Sequence, residues 1–371
     1  MKLIKINAPD FDLEKTLDSG QVFHWEKAGD GFVGTIGDVA IYIEQHRNRL
    51  SLALGEGKHD GHRPSCLQRL IGAYFALDHP LQRICNSFPR DQVMTAAKDF
   101  CRGLRIIRQP KWECLATFIC SSMKQVAHIR QISLALRQRF GDVRTLELPH
   151  SIESAHAGSA APRAIIHFGR LRGRGINIEV RAGLASQTVR STNSLVVYTF
   201  PTPERIAASS EKALRKCALG YRTKNLLATA RLIASGEVDL ERLASLSDAE
   251  LRSALCRLPG VGAKVANCVM LFAYERLRAF PIDVWIARVL RENYFPRARK
   301  LNAARLQAFT DKYFGDHGGY AQQYLFHHAR KSGRRRDVNV KNWDTTRLHA
   351  ASAWQAARVP SARNDKELAV R

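Results

Sequence analysis

The chain has 371 residues, 45% of them hydrophobic and 25% charged, which suits a globular protein of two or three compact units and excludes a disordered polar chain. Its 58 Lys and Arg against 34 Asp and Glu give a formal net charge of +24, so polyanions are the expected partners. Segments 142–199 and 331–371 carry +3 and +6 of this, which leaves +15 on the remainder, so the charge is not confined to peripheral segments.

Met1 to Ile6 lacks the apolar run of a signal peptide, and no apolar stretch reaches the roughly 18 residues of a membrane span. No basic amphipathic helix or lipidation signal stands out, so nucleic acid is favoured over membrane, and the expected setting is intracellular. The eight cysteines form no CxxC pair and have no zinc or iron–sulfur spacing. They read as reduced, mostly buried thiols, with no structural metal.

In chain order, residues 1–98 read as an N-terminal α/β domain. Gly31–Ile36 and Val39–Glu44 are β-branched runs parted by Gly37-Asp38, a hairpin signal, and Leu67–Leu77 has helical spacing. Residues 99–330 read as a helical body. Helical patterns cover Trp112–Phe140, broken near Ser121-Ser122 and stopped by Gly141, then Leu226–Ala234, Asp248–Leu258, Ala263–Leu277, Val284–Glu292 and Ala303–Phe314. Residues 142–199, rich in Ser, Ala, Arg and Gly, read as a flexible insertion, and 331–371 as a basic C-terminal tail.

The strongest chemical signal is Leu258-Pro259-Gly260-Val261-Gly262-Ala263-Lys264-Val265-Ala266-Asn267. One helix ends, glycines at 260 and 262 turn the chain, and the next helix starts with free amides that suit a phosphate. Gly260, Val261 and Gly262 are therefore expected to grip DNA backbone without reading sequence. An ordinary αα-hairpin turn would read the same from these residues alone. Lys264 adds more, since an amine there can attack an electrophilic sugar carbon and form a Schiff base. The helix dipole opposes its charge, whereas a DNA cleft and burial act in either direction. Nineteen residues on, Pro281-Ile282-Asp283 places a carboxylate to cap the following helix, to stabilise an oxocarbenium-like sugar, or both.

The hairpin, Lys264 and Pro281-x-Asp283 resemble the helix-hairpin-helix (HhH-GPD) DNA glycosylase superfamily. The whole resembles its eukaryotic-type 8-oxoguanine DNA glycosylase/AP lyase branch. Further blocks that carry this resemblance are Ser19-Gly20-Gln21-Val22-Phe23-His24-Trp25, Phe118-Ile119-Cys120-Ser121-Ser122, Leu219-Gly220-Tyr221-Arg222 and Tyr320-Ala321-Gln322-Gln323-Tyr324-Leu325-Phe326.

The resemblance implies an α+β protein, an N-terminal antiparallel β-rich domain followed by an α-helical helix-hairpin-helix body. It implies a monomer that acts on double-stranded DNA containing oxidised guanine, with no cofactor. Lys264 would be the nucleophile, Asp283 its catalytic partner, and Gly20 the carbonyl that meets the damaged base. Gln322 would bond the Watson–Crick edge between Phe326 and Cys268, Tyr221 would wedge the duplex, and Arg222 would meet the opposite base or anchor a phosphate. Taken singly, Phe326 and Tyr324 also suit a helix core, Cys268 a packed thiol and Gly20 a turn.

Two positions depart from members that demand cytosine opposite the lesion. Met123 stands for an asparagine and His128 for an arginine, so base-reading donors are lost or weakened. Trp285 stands for a phosphate-contacting histidine of animal members. The rival readings are a superfamily glycosylase for other damaged bases and a non-enzymatic DNA-binding module. Lys264 disfavours the alkylpurine branch, the lack of cluster cysteines the iron–sulfur branch, and Lys264 with Asp283 the non-enzymatic module.

Overall fold

The computed structural model describes residues 3–55, 64–147 and 194–332. The chain opens with strand β1 (Ile4–Asn7) and helix α1 (Leu13–Asp18), then β2 (Glu26–Ala28), β3 (Gly31–Ile36), β4 (Val39–His46) and β5 (Arg49–Leu54). Helices α2 (Pro64–Tyr74), α3 (Leu81–Asn86), α4 (Gln92–Phe100), α5 (Lys111–Ser121) and α6 (Val126–Phe140) follow. A two-stranded ribbon comes next, β6 (Val143–Glu147) and β7 (Ser194–Tyr198). Helices α7 (Pro203–Ala207), α8 (Glu211–Arg215), α9 (Arg222–Ala234), α10 (Asp248–Cys256), α11 (Ala263–Ala273), α12 (Val284–Tyr294), α13 (Ala303–Tyr313) and α14 (Gly318–Ser332) complete the described chain. None of these helices is long and apolar enough to cross a membrane.

The α+β expectation holds. The five N-terminal strands form one antiparallel sheet in the order β1-β5-β4-β3-β2. Gly37, at φ +60°, turns β3 into β4 at the expected hairpin, pairing Ile36 with Val39. Ile41, Ile43, Leu50 and Leu52 pack with Leu13, Leu17, Trp25, Ile71 and Phe75 in one core. A Cβ at Gly34 would lie 2.7 Å from the Trp25 ring, so only glycine lets the indole pack this close to β3.

The chain divides into two compact units, Met1–Leu81 with Arg102–Arg242, and Gln82–Cys101 with the chain from Leu243. This differs from the boundary expected at residue 98. The reason is long-range pairing that composition does not record. Asp91 caps α4 through the Met94 amide and accepts hydrogen bonds from the hydroxyls of Tyr294 and Tyr313, each 3.0 Å, so α4 joins the C-terminal helices. Arg105 instead donates to the carbonyls of Ala76 and His79, at 2.7 and 2.9 Å, which keeps its segment with the sheet.

The 142–199 stretch also departs from expectation. Its ends are paired strands, with Val143 opposite Tyr198 and Glu147 opposite Ser194, and Leu146 is fully buried beside Val33, Tyr42 and Ala53. Short strands among Arg and Thr leave too weak a period to read from sequence. The middle of the expected insertion, 148–193, and the tail from 333 lie outside the described residues.

The first unit holds a buried ionic network. Arg137 bonds Glu113 and donates 2.8 Å to Thr35 Oγ1 and 3.1 Å to the Tyr198 carbonyl, tying α6 to α5, β3 and β7. His24 donates 2.9 Å to the Thr35 carbonyl, and burial with the Arg137 charge holds its pKa well below the usual histidine value. Burial pushes the Glu113 pKa up against the pull of Arg137. Removing one partner strands a buried charge, so Arg137→Met is expected to destabilise this unit by about 3–5 kcal/mol. A Glu113→Gln/Arg137→Met double variant should recover much of that loss in urea denaturation. A midpoint for Arg137→Met equal to wild type would show that the network holds nothing.

Candidate active site

The hairpin forms as its sequence dictates. Ser247 and Glu250 close a capping box that starts α10, and the chain turns at Pro259 and at Gly260, which has φ +81° and is exposed. Gly262 is the N-cap of α11 in extended conformation, with no side-chain bond to the amides that follow and open space around its Cα. The first-turn amides of α11 are thus left for an anion. Val261 is buried and anchors the turn, its amide bonded to the Leu258 carbonyl at 3.1 Å.

Lys264 lies half-buried in the first turn of α11, and its ammonium hydrogen-bonds Cys268 one turn on. Burial pushes the Cys268 thiol up to about 11, with Lys264 pulling the other way. Cys268 is therefore a neutral, 3% exposed wall and not a thiolate.

Asp283 is the N-cap of α12 and accepts 2.9 Å from the Ile286 amide. Loss of solvent around its carboxyl raises its pKa, opposed by the bond from Ile286 and by the charge of Lys264. Asp283 thus caps α12 and lies within electrostatic reach of Lys264 and Cys268, the three side chains forming one group.

Asn267, the last residue of the motif and one to which the sequence assigns no role, helps to hold that group. Its amide donates 3.3 Å to the Phe280 carbonyl and 3.3 Å to Gln307 Oε1, tying α11 to the segment before Asp283 and to α13. The available signal was an amide among apolar neighbours three residues after Lys264.

Gln322 and Phe326 share a face of α14. This helix packs closely because Gly319 lacks a side chain, since a Cβ there would lie 2.3 Å from Leu271 and 2.8 Å from the Ala279 carbonyl. Gln322 is 4% exposed, and its Oε1 has no hydrogen-bond partner among the described residues. An unmet buried acceptor costs roughly 1–3 kcal/mol, a cost that binding of a donor would remove. Phe326 is half-buried, with the Arg330 guanidinium 5.9 Å from its ring centre.

The other expected site residues belong to the first unit. Gly20 has φ +88°, and its neighbours are tied down. Ser19 donates 2.8 Å to the Thr16 carbonyl, and Gln21 donates to Arg105 and accepts from the Ile107 amide at 2.8 and 2.7 Å. The Gly20 peptide is thereby held in one orientation.

Tyr221 is 58% exposed at the start of α9, and His128 is half-buried on α6. Arg222 is only 5% exposed. Its Nε donates 2.8 Å to the Ser122 carbonyl, Nη2 bonds the same oxygen, and Nη1 donates 3.3 Å to Leu219. Three of its five N–H groups are thus engaged by backbone.

Residues 3–115 match the family described as 8-oxoguanine DNA glycosylase, N-terminal domain, and residues 184–312 match the HhH-GPD superfamily base excision DNA repair protein. A probable N-glycosylase/DNA lyase of Methanothermobacter thermautotrophicus is 28% identical over 89% of this chain and 97% of its own length. The N-glycosylase/DNA lyase OGG1 of Arabidopsis thaliana is 26% identical over 87% of this chain and 78% of its own. The structure of MBOgg1 in complex with a low-affinity DNA ligand superposes with a TM-score of 0.69 at 28% identity, covering 90% of this chain and all of that one. By both halves of its fold and by this hairpin, the chain belongs to the HhH-GPD superfamily of base excision DNA repair proteins, in the branch with an 8-oxoguanine glycosylase N-terminal domain.

Proposed function

We infer that this N-glycosylase/DNA lyase excises 8-oxoguanine from duplex DNA with Lys264 as nucleophile and Asp283 as its electrostatic partner. The observation that carries this reading is the coupled group of Lys264, Cys268 and Asp283 beside the uncapped start of α11. Every step depends on an extruded nucleotide, because the sugar carbon is inaccessible within the stack.

The Lys264 amine attacks C1′, and the bond to the base nitrogen breaks with its electron pair leaving on the base, which takes up a proton. Opening of the sugar ring and loss of a proton from nitrogen give the Schiff base. Loss of a C2′ proton then expels the 3′ phosphate by β-elimination. Asp283 faces the positive charge that builds on the sugar, and a carboxylate short of solvent acts more strongly there than in water.

Base choice follows from one atom. Oxidation gives guanine an N7–H donor where the normal base has an acceptor, so a carbonyl at Gly20 gains one hydrogen bond with the lesion and faces repulsion with guanine. That difference is roughly 1–3 kcal/mol, and selection during extrusion adds to it. Gln322, with its unmet Oε1, suits the Watson–Crick edge. The direct test is to incubate the protein with duplexes that each bear one defined lesion and follow strand cleavage. Cleavage only at 8-oxoguanine pairs supports the reading, and cleavage only at alkylated purines overturns it.

Discrimination of the opposite base is expected to be weak. Met123 has no hydrogen-bond donor, His128 lacks the fork of an arginine, and the Arg222 donors are largely engaged. Good base contacts are worth roughly 1–3 kcal/mol each, so Met123→Asn/His128→Arg should widen the cytosine-to-adenine excision ratio by about tenfold or more. Wild-type rejection of adenine by about a thousandfold, roughly 4 kcal/mol, would show that another residue reads this base.

A further inference from the structure

A cavity of about 360 Å³ lies in the second compact unit, lined by residues of α3, of α4 and of the turn that joins them. Its volume is in the range of small-ligand sites, roughly 300–1,000 Å³. Phe88, Pro89 and Met94 give it an apolar wall, Asn86, Arg90 and Lys98 bring hydrogen-bond donors, and no carboxylate lines it. The Thr95 hydroxyl at its edge donates 2.8 Å to the Asp91 carbonyl, so it does not compete for those donors.

Neither cation is matched by the protein. Among the described residues, Arg90 and Lys98 make no hydrogen bond, ion pair or ring contact. Asp91, the acid beside Arg90 in the chain, has its oxygens engaged by the Met94 amide and by the hydroxyls of Tyr294 and Tyr313. Lys98 is half-buried in the last turn of α4. A lysine there also offsets the helix dipole, but that accounts for one cation and not for two at one cavity. A phosphomonoester carries about −1.5 to −2 charges at neutral pH, which matches the pair.

We propose that this cavity binds a phosphomonoester with an organic group of about nucleoside size. Arg90, Lys98 and the Asn86 amide hold the phosphate, and Phe88 and Pro89 lie against the organic group. A free mononucleotide has this chemistry, and so has the 5′ phosphate that β-elimination leaves on a cleaved strand. The site stands without that reaction, which only adds a second source of the ligand.

Cys85 reports on occupancy, because its half-buried thiol lines the cavity and donates 3.5 Å to the Tyr324 hydroxyl. Cys66 and Cys256 are exposed and serve as internal controls. The test is the rate of iodoacetamide alkylation at each thiol, followed by mass spectrometry. Saturating thymidine 5′-monophosphate should slow Cys85 by at least about fivefold and leave Cys66 and Cys256 unchanged. Thymidine should give no protection, and inorganic phosphate should need about tenfold more ligand than the nucleotide, since it lacks the organic group. Arg90→Gln/Lys98→Gln should raise the concentration for half-protection by about tenfold or more. Calorimetric titration of both proteins with the same nucleotide makes that comparison independently of thiol reactivity. Equal protection by a 5′-phosphorylated pentanucleotide, with none from its 5′-hydroxyl form, supports the site and assigns it to a strand end. Protection by the mononucleotide alone supports it as a site for a free ligand. Protection by thymidine, or nucleotide binding that is unchanged in the double variant or undetectable in wild type, would overturn the proposal.

Discussion

Lys264→Gln protein is expected to bind duplex DNA containing 8-oxoguanine, yet to give no borohydride-trapped adduct and no strand cleavage. Glutamine is one atom shorter and keeps a polar end, but has no amine to attack C1′ or to form an imine. Its amide can still bond toward Cys268, so α11 should keep its start and the hairpin its turn. The separation matters, because a variant that merely unfolded the hairpin would lose binding together with chemistry. Single-turnover excision should fall by at least about 10³-fold, a loss of roughly 4 kcal/mol of transition-state stabilisation. Efficient trapping by Lys264→Gln would place the nucleophile elsewhere.

The second large effect belongs to Asp283. Asparagine is as good an N-cap as aspartate, so Asp283→Asn should leave α12 and the fold intact while removing the charge. Loss of the electrostatic partner is expected to slow excision by about 10²–10³-fold. The pH profile gives a sharper check. Burial raises the Asp283 pKa, so its carboxylate becomes protonated at a higher pH than an ordinary aspartate, near 3.9, would. Activity carried by the ionised form is therefore lost on acidification from that higher pH, and the acid limb of the excision rate lies above the titration of an ordinary aspartate. Asp283→Asn should flatten that limb. A limb unchanged in the variant would assign it to another group.

The parts of the site legible in the sequence were those encoded locally. Gly260, Gly262 and Lys264 lie within five residues of one another, and Asp283 sits where an N-cap is required, so turn chemistry and helix periodicity place them without tertiary information. The β3–β4 hairpin was legible for the same reason, through Gly37-Asp38 between two β-branched runs. What escaped was pairing over long separations. Nothing local in Arg137 announces Glu113 and Thr35, and nothing in Asp91 announces Tyr294 and Tyr313, yet these bonds decide which segments belong to each compact unit. Strands β1 and β2, of four and three residues, are too short for a period, and β6 and β7 were concealed by the polar composition around them. Arg222 gives the clearest case. Its position in a motif suggests an outward role, whereas in the fold its donors turn inward onto Ser122 and Leu219.

In the proposed reaction one amine, on Lys264, both displaces the damaged base and carries the DNA through strand cleavage. Borohydride reduction of wild-type protein on a duplex containing 8-oxoguanine, followed by proteolysis and mass spectrometry of the linked peptide, measures this directly. A single modified residue is expected, Lys264, in the peptide that spans the start of α11. A reduced sugar linked to any other lysine, or to the amino terminus, would contradict it.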